Sequence, residues 1–321
     1  MMGRIHSKGA GAAILAGLAL ALASPVAAAP VAAAPSAPKA APPKAAPPAA
    51  QASAAFVPQA PIVMLKDLDS GAILFSRGAD ERFAPASMTK VMTAYVVLDL
   101  IKAGRLARDT KFTVGEAEWK KWRAGRGGSS MFLAPGEKVS VDDLLKGLIT
   151  VSGNDAAAVL AVGIDGSEKD FVKRMNDMAS SLGMKSSRFG TPSGWPDGGV
   201  TKVSAADLVT LADRLIRDHP QGYARYFAIP SLQHGKSPDG KPIVQANRNP
   251  ILGRFDGADG LKTGHTSEAG YCFLGSAKRD GRRLVMVVAG MASEKARRDE
   301  ATRLMDWGFA QAPQRGRAGG R

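Results

Sequence analysis

Cysteine is almost missing from the 321-residue chain, where Cys272 stands alone. An intramolecular disulfide is therefore excluded, and so is a cysteine-rich metal site. Cys272 lies in the β-like run Ala269-Gly270-Tyr271-Cys272-Phe273-Leu274, where a small buried hydrophobe is expected and not a nucleophile. Histidine is scarce as well. The four present (His6, His219, His234 and His265) lack metal-ligand spacing, so no metal and no organic cofactor is expected. Aromatic residues make up a modest 6% of the chain, and no internal repeat is visible.

Long apolar runs are missing too. The longest, Gly9 to Ala23, is too short for a comfortable membrane span. It follows the basic residues Arg4, His6 and Lys8 and precedes the small residues Ala27-Ala28-Ala29, the pattern of a signal peptide over 1–29. Retention of this segment as an anchor is the alternative. Residues 30–59 are nearly all Pro and Ala, a composition that buries no core and reads as a disordered linker. The folded domain is expected over 60–311, with 312–321 a flexible basic tail. Export to the periplasm or cell envelope follows, with no integral span after cleavage.

What the chain has is positive charge. The formal net charge is +14, while 45% hydrophobic and 22% charged residues are ordinary for a soluble enzyme with one substantial core. Such an excess suits either nucleic acid or an anionic envelope polymer or membrane surface. Apart from Lys120-Lys121-Trp122-Arg123 and Arg297-Arg298 the basic residues are scattered, and no helix-turn-helix, RRM or finger motif accompanies them. No nucleic-acid partner is expected.

Ile62-Val63-Met64-Leu65 and Ala72-Ile73-Leu74-Phe75 flank Asp67-Leu68-Asp69-Ser70-Gly71, a hairpin pattern. Ser87 to Lys102 is helix-compatible and apolar nearly all round, which predicts a helix buried mid-domain and capped near Gly104. Three Ser-x-x-Asp boxes, at Ser140, Ser167 and Ser204, announce further helix starts. The second opens an amphipathic helix with Phe171, Met175, Met178 and Leu182 on one face. Gly270–Ala277 and Leu284–Ala289 flank a tight turn, and a last helix runs from about Ser293 to Phe309. Strands, then helices, then strands predict a largely antiparallel sheet joining first and last elements beside a helical region.

Three short motifs carry chemistry. In Ser87-Met88-Thr89-Lys90, residues at i and i+3 share a helix face, so hydroxyl and ammonium can meet. A serine needs a base to act as a nucleophile, and a lysine can be that base when burial or a second cation lowers its pKa. Ser152-Gly153-Asn154 follows the helix Val141–Thr150, and Lys262-Thr263-Gly264-His265 precedes the closing hairpin. Taken singly, these are an N-cap, a turn and a strand edge. Together, and in this order, they are separated by about 65 and then about 110 residues.

With Ala84–Tyr95, Gly153–Ala157, Asn247-Arg248-Asn249-Pro250 and Asp259–Thr266, this set resembles the penicillin-binding proteins and serine β-lactamases. The similarity is greater to the D-alanyl-D-alanine carboxypeptidases of low molecular mass, and it covers Ile62 to Phe309. The resemblance implies a β-lactamase/DD-peptidase-like fold, α/β (α+β) in class, with an antiparallel sheet flanked by helices and a mostly helical subdomain. It implies Ser87 as nucleophile, Lys90 as base and Ser152 as proton relay to the departing D-Ala. Asn154 would orient Lys90 and the substrate, and Lys262 would keep Lys90 neutral. The Ser87 and His265 N–H groups would form the oxyanion hole beside Gly264, and Arg248 with Thr263 would take the terminal carboxylate. The implied partners are a peptidoglycan stem ending in D-Ala-D-Ala and β-lactams as covalent inhibitors.

Three alternatives stay open: a D,D-endopeptidase on cross-links, a β-lactamase, and a non-catalytic module binding wall peptide. The β-lactamase reading is the least favoured of these. Class A enzymes deacylate through a glutamate, and no Glu lies between Glu168 and Glu268. Asp197, in Trp195-Pro196-Asp197-Gly198, reads as a turn residue. The second β-rich domain and C-terminal amphipathic anchor of many relatives are not expected after the closing helix.

Overall fold

The computed structural model describes residues 55–123, 126, 128–237 and 239–312, all within the unit Ala50–Arg321. The expected signal peptide, most of the 30–59 linker and all but the first residue of the 312–321 tail lie outside the described residues. In chain order come β1 (Ile62–Asp67), β2 (Ile73–Arg77) and a 3-10 turn (Ala86–Thr89) that runs directly into α1 (Lys90–Lys102). Next are β3 (Lys111–Thr113), α2 (Glu116–Trp122), β4 (Lys138–Ser140), α3 (Val141–Thr150), α4 (Asn154–Asp165) and α5 (Glu168–Ser181). After α6 (Ala205–Asp218) and α7 (Pro220–Tyr226) come β5 (Ser231–Lys236), β6 (Pro242–Ala246), β7 (Ala258–Thr266), β8 (Gly270–Arg279), β9 (Arg282–Met291) and α8 (Glu294–Ala310).

Five strands make one antiparallel sheet in the order β2-β1-β9-β8-β7, so the first and last strands pair directly, as expected. The β8–β9 turn has φ of +48° at Asp280 and +82° at Gly281, the left-handed pair that a two-residue hairpin needs. Both faces of the sheet are covered, which is why β9 reads as an unbroken apolar run. Leu65, Leu284, Met286 and Val288 pack towards α8, while Met64, Val285, Val287 and Ala289 belong to the larger core around α1. The period of two along each strand thus sorts its side chains between two cores. Each fully buried side chain of this size contributes roughly 1.5–3 kcal/mol.

The α1 helix sits in the middle of the larger core, with every residue buried except Asp99, Ile101 and Lys102. Around it the three serine boxes act as read from the sequence. Ser140, Ser167 and Ser204 accept from the N–H groups of Asp143, Asp170 and Asp207 at 3.1, 3.0 and 3.1 Å. Ser293 caps α8 in the same way, through the Ala296 N–H at 3.1 Å. Each cap contributes about 1 kcal/mol.

Two features differ from expectation. The helix containing Ser87 is α-helical only from Lys90, because Ala86 takes φ +48° and the first turn is 3-10. Lys262-Thr263-Gly264-His265 precedes the β8–β9 hairpin, as read from the sequence, and lies within β7, an edge strand of the sheet. The two-stranded ribbons β3–β4 and β5–β6 also add to the expected elements. All four strands are short and polar on alternate positions, and β5 is broken at Gly235, so their sequences carry little strand pattern.

Candidate active site

The 3-10 turn at the head of α1 presents Ser87 at the floor of a cleft of about 960 Å³. Three amino acids on, Lys90 passes beneath that floor with 0% of its surface exposed. Its Nζ lies 2.9 Å from Ser87 Oγ, 2.7 Å from Asn154 Oδ1 and 2.7 Å from the Ser193 carbonyl oxygen. Two of these neighbours are pure acceptors, and the third is a hydroxyl that can accept or donate. These three oxygens can accept the three hydrogens of an ammonium; once neutral, the amine keeps two hydrogens for Asn154 and Ser193 and can turn its lone pair to the Ser87 hydroxyl. Burial pushes the Lys90 pKa well below its ordinary value, and Lys262 and then Arg248 lower it further against a smaller opposing pull from Asp155.

Lys262 is buried at 2% exposure, with a 3.3 Å contact to the Thr263 carbonyl oxygen and no ion pair among the described residues. Burial, then Arg248 and Arg297, bring it down to about 7. The strand carrying it passes close to the Ser87 turn. A Cβ on Gly264 would lie 2.4 Å from the Pro85 carbonyl oxygen, so only glycine permits the approach. Beyond it Thr263 and His265 line the cleft, and His265 stacks on Tyr271 with ring centroids 3.9 Å apart.

Ser152 joins α3 to α4 with φ +63°, a left-handed conformation that costs a non-glycine residue about 1–3 kcal/mol. The junction is held by the Gly153 and Asn154 N–H groups, which donate to the Gly147 and Ser129 carbonyls at 3.0 and 2.7 Å. Ser152 Oγ is buried at the cleft wall and has no hydrogen-bond partner among the described residues. Asp155, one position past Asn154, serves the scaffold. Its carboxylate accepts from Ser130 Oγ at 2.6 Å and from the Met131 and Leu133 N–H groups at 3.1 and 3.3 Å.

The structure thus brings Ser87, Lys90, Ser152, Asn154, Lys262, Thr263, Gly264 and His265 to one cleft or directly beneath it. Arg248 lines it as well, with its guanidinium donating to Ser129 Oγ. Other residues singled out in the sequence lie outside this chemistry. Cys272 is buried, donates to the Ala269 carbonyl at 3.3 Å and is pushed up to about 11 by burial. Asp197 accepts the Thr201 N–H at 3.1 Å, as a turn residue does. Glu168 and Glu268 form ion pairs with Lys121 and Lys202. Among the described residues no cluster of three His, Cys, Asp or Glu could hold a metal, and no helix is long and apolar enough to cross a membrane.

The family model described as D-alanyl-D-alanine carboxypeptidase (peptidase S11) matches residues 49–293. The chain belongs to this family. It is 40% identical over 253 residues to the D-alanyl-D-alanine carboxypeptidase DacA of Haemophilus influenzae, covering 78% of this chain and 62% of that protein. Penicillin-binding protein 6B of Escherichia coli superposes with a TM-score of 0.73 at 40% identity, covering 79% of this chain and 78% of that one. Penicillin-binding protein D2 of Listeria monocytogenes, solved in an ampicillin-bound form, gives 0.69 at 31% identity and covers 79% and 99%. The chain spans about three-fifths of the length of the curated relatives it matches. The carboxypeptidase fold, an antiparallel sheet with flanking helices, is therefore shown.

Against this family background, three features of the site go beyond the motif residues. Arg297, noted in the sequence only as half of a basic pair, is 6% exposed and lines the cleft. Its Nε has no partner among the described residues, and its guanidinium lies over the Tyr271 ring, 5.6 Å from the centroid. Trp195 forms part of the wall and packs edge-on against the buried Trp122, with centroids 5.4 Å apart. Trp122 thereby supports the cleft, while Trp119 packs against the larger core. The Ser193 carbonyl is a backbone group, and no side-chain motif announces it.

Proposed function

We propose that the protein is a serine-type D-alanyl-D-alanine carboxypeptidase that removes the terminal D-Ala from peptidoglycan stem pentapeptides through an acyl-enzyme. The observation that carries this reading is the Lys90 cage, in which a buried amine 2.9 Å from Ser87 Oγ has two carbonyl acceptors and no carboxylate in direct contact among the described residues. Ser87 Oγ attacks the carbonyl of the penultimate D-Ala while Lys90 takes its proton. The Ser87 and His265 N–H groups receive the developing oxyanion, an interaction whose loss costs on the order of 10²–10³ in rate. Ser152 hands the proton to the departing amine, for which its unpartnered hydroxyl is suited. Water then releases the shortened stem.

The terminal carboxylate is received by Thr263 and a guanidinium. Arg297 suits that role better than Arg248, because its Nε is unpartnered whereas Arg248 already donates to Ser129. Arg248 then braces the wall opposite. Penicillin acylates Ser87 and leaves slowly, since no glutamate lies between Glu168 and Glu268, the stretch in which class A β-lactamases carry their water-activating group. The expected leader places the enzyme in the periplasm or cell envelope, where its positive charge favours anionic wall polymer.

Fluorescent penicillin with mass spectrometry of the adduct tests the reading. A covalent label on the peptide containing Ser87, lost in Ser87→Ala along with D-Ala release, is the expected result. A label elsewhere, or rapid turnover of penicillin, would overturn it.

A further inference from the structure

The end of α1 farthest from Ser87 opens onto a second cavity, of about 350 Å³. At 1.5 Å per residue, α1 carries the chain roughly 18 Å from Lys90 to Lys102, so this cavity and the cleft lie at opposite ends of one helix. Leu98 and Ile101 give the cavity an apolar wall, and Lys102, Arg108, Asp218 and His219 supply its polar lining. Asp218 is the one acid there among the described residues, and its carboxylate is held by the Tyr95 hydroxyl at 2.7 Å and by Arg214 at 2.8 Å. Lys102 reaches the Asp218 carbonyl oxygen, at 3.1 Å. Both Lys102 and Arg108 are exposed, and neither has an ion pair among the described residues. His219 is buried and stands edge-on to Tyr95, with ring centroids 4.7 Å apart. Its Nε2 is buried with no hydrogen-bond partner among the described residues.

Two cations without a carboxylate, a buried imidazole nitrogen without a partner and an aliphatic wall thus share one cavity. Guanidinium and ammonium together suit a phosphate, whose oxygens point in several directions. An inorganic anion would leave Leu98 and Ile101 uncovered, so the group that fits carries carbon as well as charge. The space is at the small end of ligand pockets, enough for a compact head and its first carbons. The exposed turn beside it extends the charge. Arg105 and Lys111 are exposed and without an ion pair among the described residues, against one acid in the turn, Asp109. A stretch of this kind matches a charged surface better than a single dissolved ion. We infer that the cavity is a binding site for the phosphate headgroup of an anionic phospholipid. Lys102 and Arg108 take the phosphate oxygens, His219 stands behind them, and Leu98 and Ile101 meet the glycerol carbons. A bilayer held there lies at the opposite end of α1 from Ser87 and leaves the cleft open. The site goes beyond the carboxypeptidase reading and uses none of the groups at Ser87.

The test uses the full chain and two kinds of vesicle, phosphatidylcholine alone and phosphatidylcholine with about one-third phosphatidylglycerol. Whatever the expected leader adds is common to parent and variants. The double variant Lys102→Gln, Arg108→Gln is expected to bind the anionic vesicles about 30-fold more weakly than the parent, with binding to neutral vesicles unchanged. Lys169→Gln, Lys185→Gln removes the same charge from exposed positions elsewhere and should weaken binding less than about threefold. An Lys102→Arg, Arg108→Lys exchange should retain most of the affinity. Soluble dihexanoyl phosphatidylglycerol should shift the His219 ring resonances of the parent and not those of the first double variant. Fluorescent penicillin should label Ser87 in every variant at the parent's rate, which reports their fold independently of the lipid. Equal weakening in the two Gln variants would reduce the effect to net charge and overturn the inference. So would unchanged vesicle binding in the first variant, or a His219 ring that ignores the soluble lipid. If the first variant lost binding to isolated wall polymer and none to vesicles, the cavity would belong to that polymer and the lipid assignment would fall.

Discussion

On the helical wall of the cleft, Lys90 is held by a hydroxyl and two carbonyl oxygens, and Asp155 is held by the loop it accepts from. On the β7 wall, Lys262 has a single long contact and Arg297 keeps an unpartnered Nε. The two walls place buried basic side chains in opposite conditions. Where a proton must move, the groups are saturated and rigid, because transfer needs one fixed geometry. Where a ligand must be recognised, the groups are desolvated and left unpaired. A buried charge without a partner is costly, and an arriving carboxylate relieves that cost. The difference separates a chemical wall from a binding wall.

Substitutions on each wall can break this contrast. The largest effect is expected from Lys90→Met, which keeps most of the unbranched side chain and removes the base. Acylation by penicillin should fall by roughly three orders of magnitude or more, because nucleophile and base act as a unit. Stopped-flow labelling of Ser87 measures it, and acylation within tenfold of the parent would show that Lys90 is not the base. Next comes Arg297→Gln on the opposite wall. Here kcat/KM for a peptide ending in a free carboxylate should fall about 10–100-fold, since a charge-assisted bond contributes about 1.5–3 kcal/mol. The same peptide with a C-terminal amide, already a poor substrate, should be nearly unaffected. Equal losses on both peptides would place Arg297 outside carboxylate recognition.

The smallest effect is a shift along the pH axis. On the proposed mechanism Lys90 acts as the neutral base, so activity should rise with pH through its lowered pKa, whereas Lys262, held at about 7, acts protonated. In the free enzyme, kcat/KM for acylation should therefore decline as pH rises through about 7. Lys262→Arg retains its charge well above that range. It should move the alkaline limb upward and leave the acid limb in place, apart from any loss of rate at the optimum. An alkaline limb unmoved in this variant would assign it to another group.

Much of the helical wall was legible in the sequence. The Ser87-x-x-Lys90 spacing, the apolar surroundings of α1 and the serine caps are local patterns whose physics operates within one turn of helix. Ser152 and Asn154 were legible only through their company with the other two motifs, since the left-handed conformation of Ser152 has no marker in its residue type. The strand wall was harder to read. Lys262 and Gly264 were found by motif, but their position inside β7 depends on pairing with β8. Arg297 and Trp195 reach the cleft because separate segments cross there, and only the folded chain juxtaposes them. The β5–β6 ribbon was missed for a related reason. Its alternation is too short and too polar to stand out until it packs beside the site.

The pairing of β1 with β9 constrains how this chain can acquire its structure. Asp67 and Arg282, 215 positions apart, share a 2.7 Å ion pair at the end of that ladder. Until β9 is available, β1 has a neighbour on one edge only, and the apolar face of α1 lacks part of its cover. Loop closure over such a separation has to precede the contacts that reward it, which makes assembly slow and late. An incomplete polypeptide therefore stays open through nearly its whole synthesis.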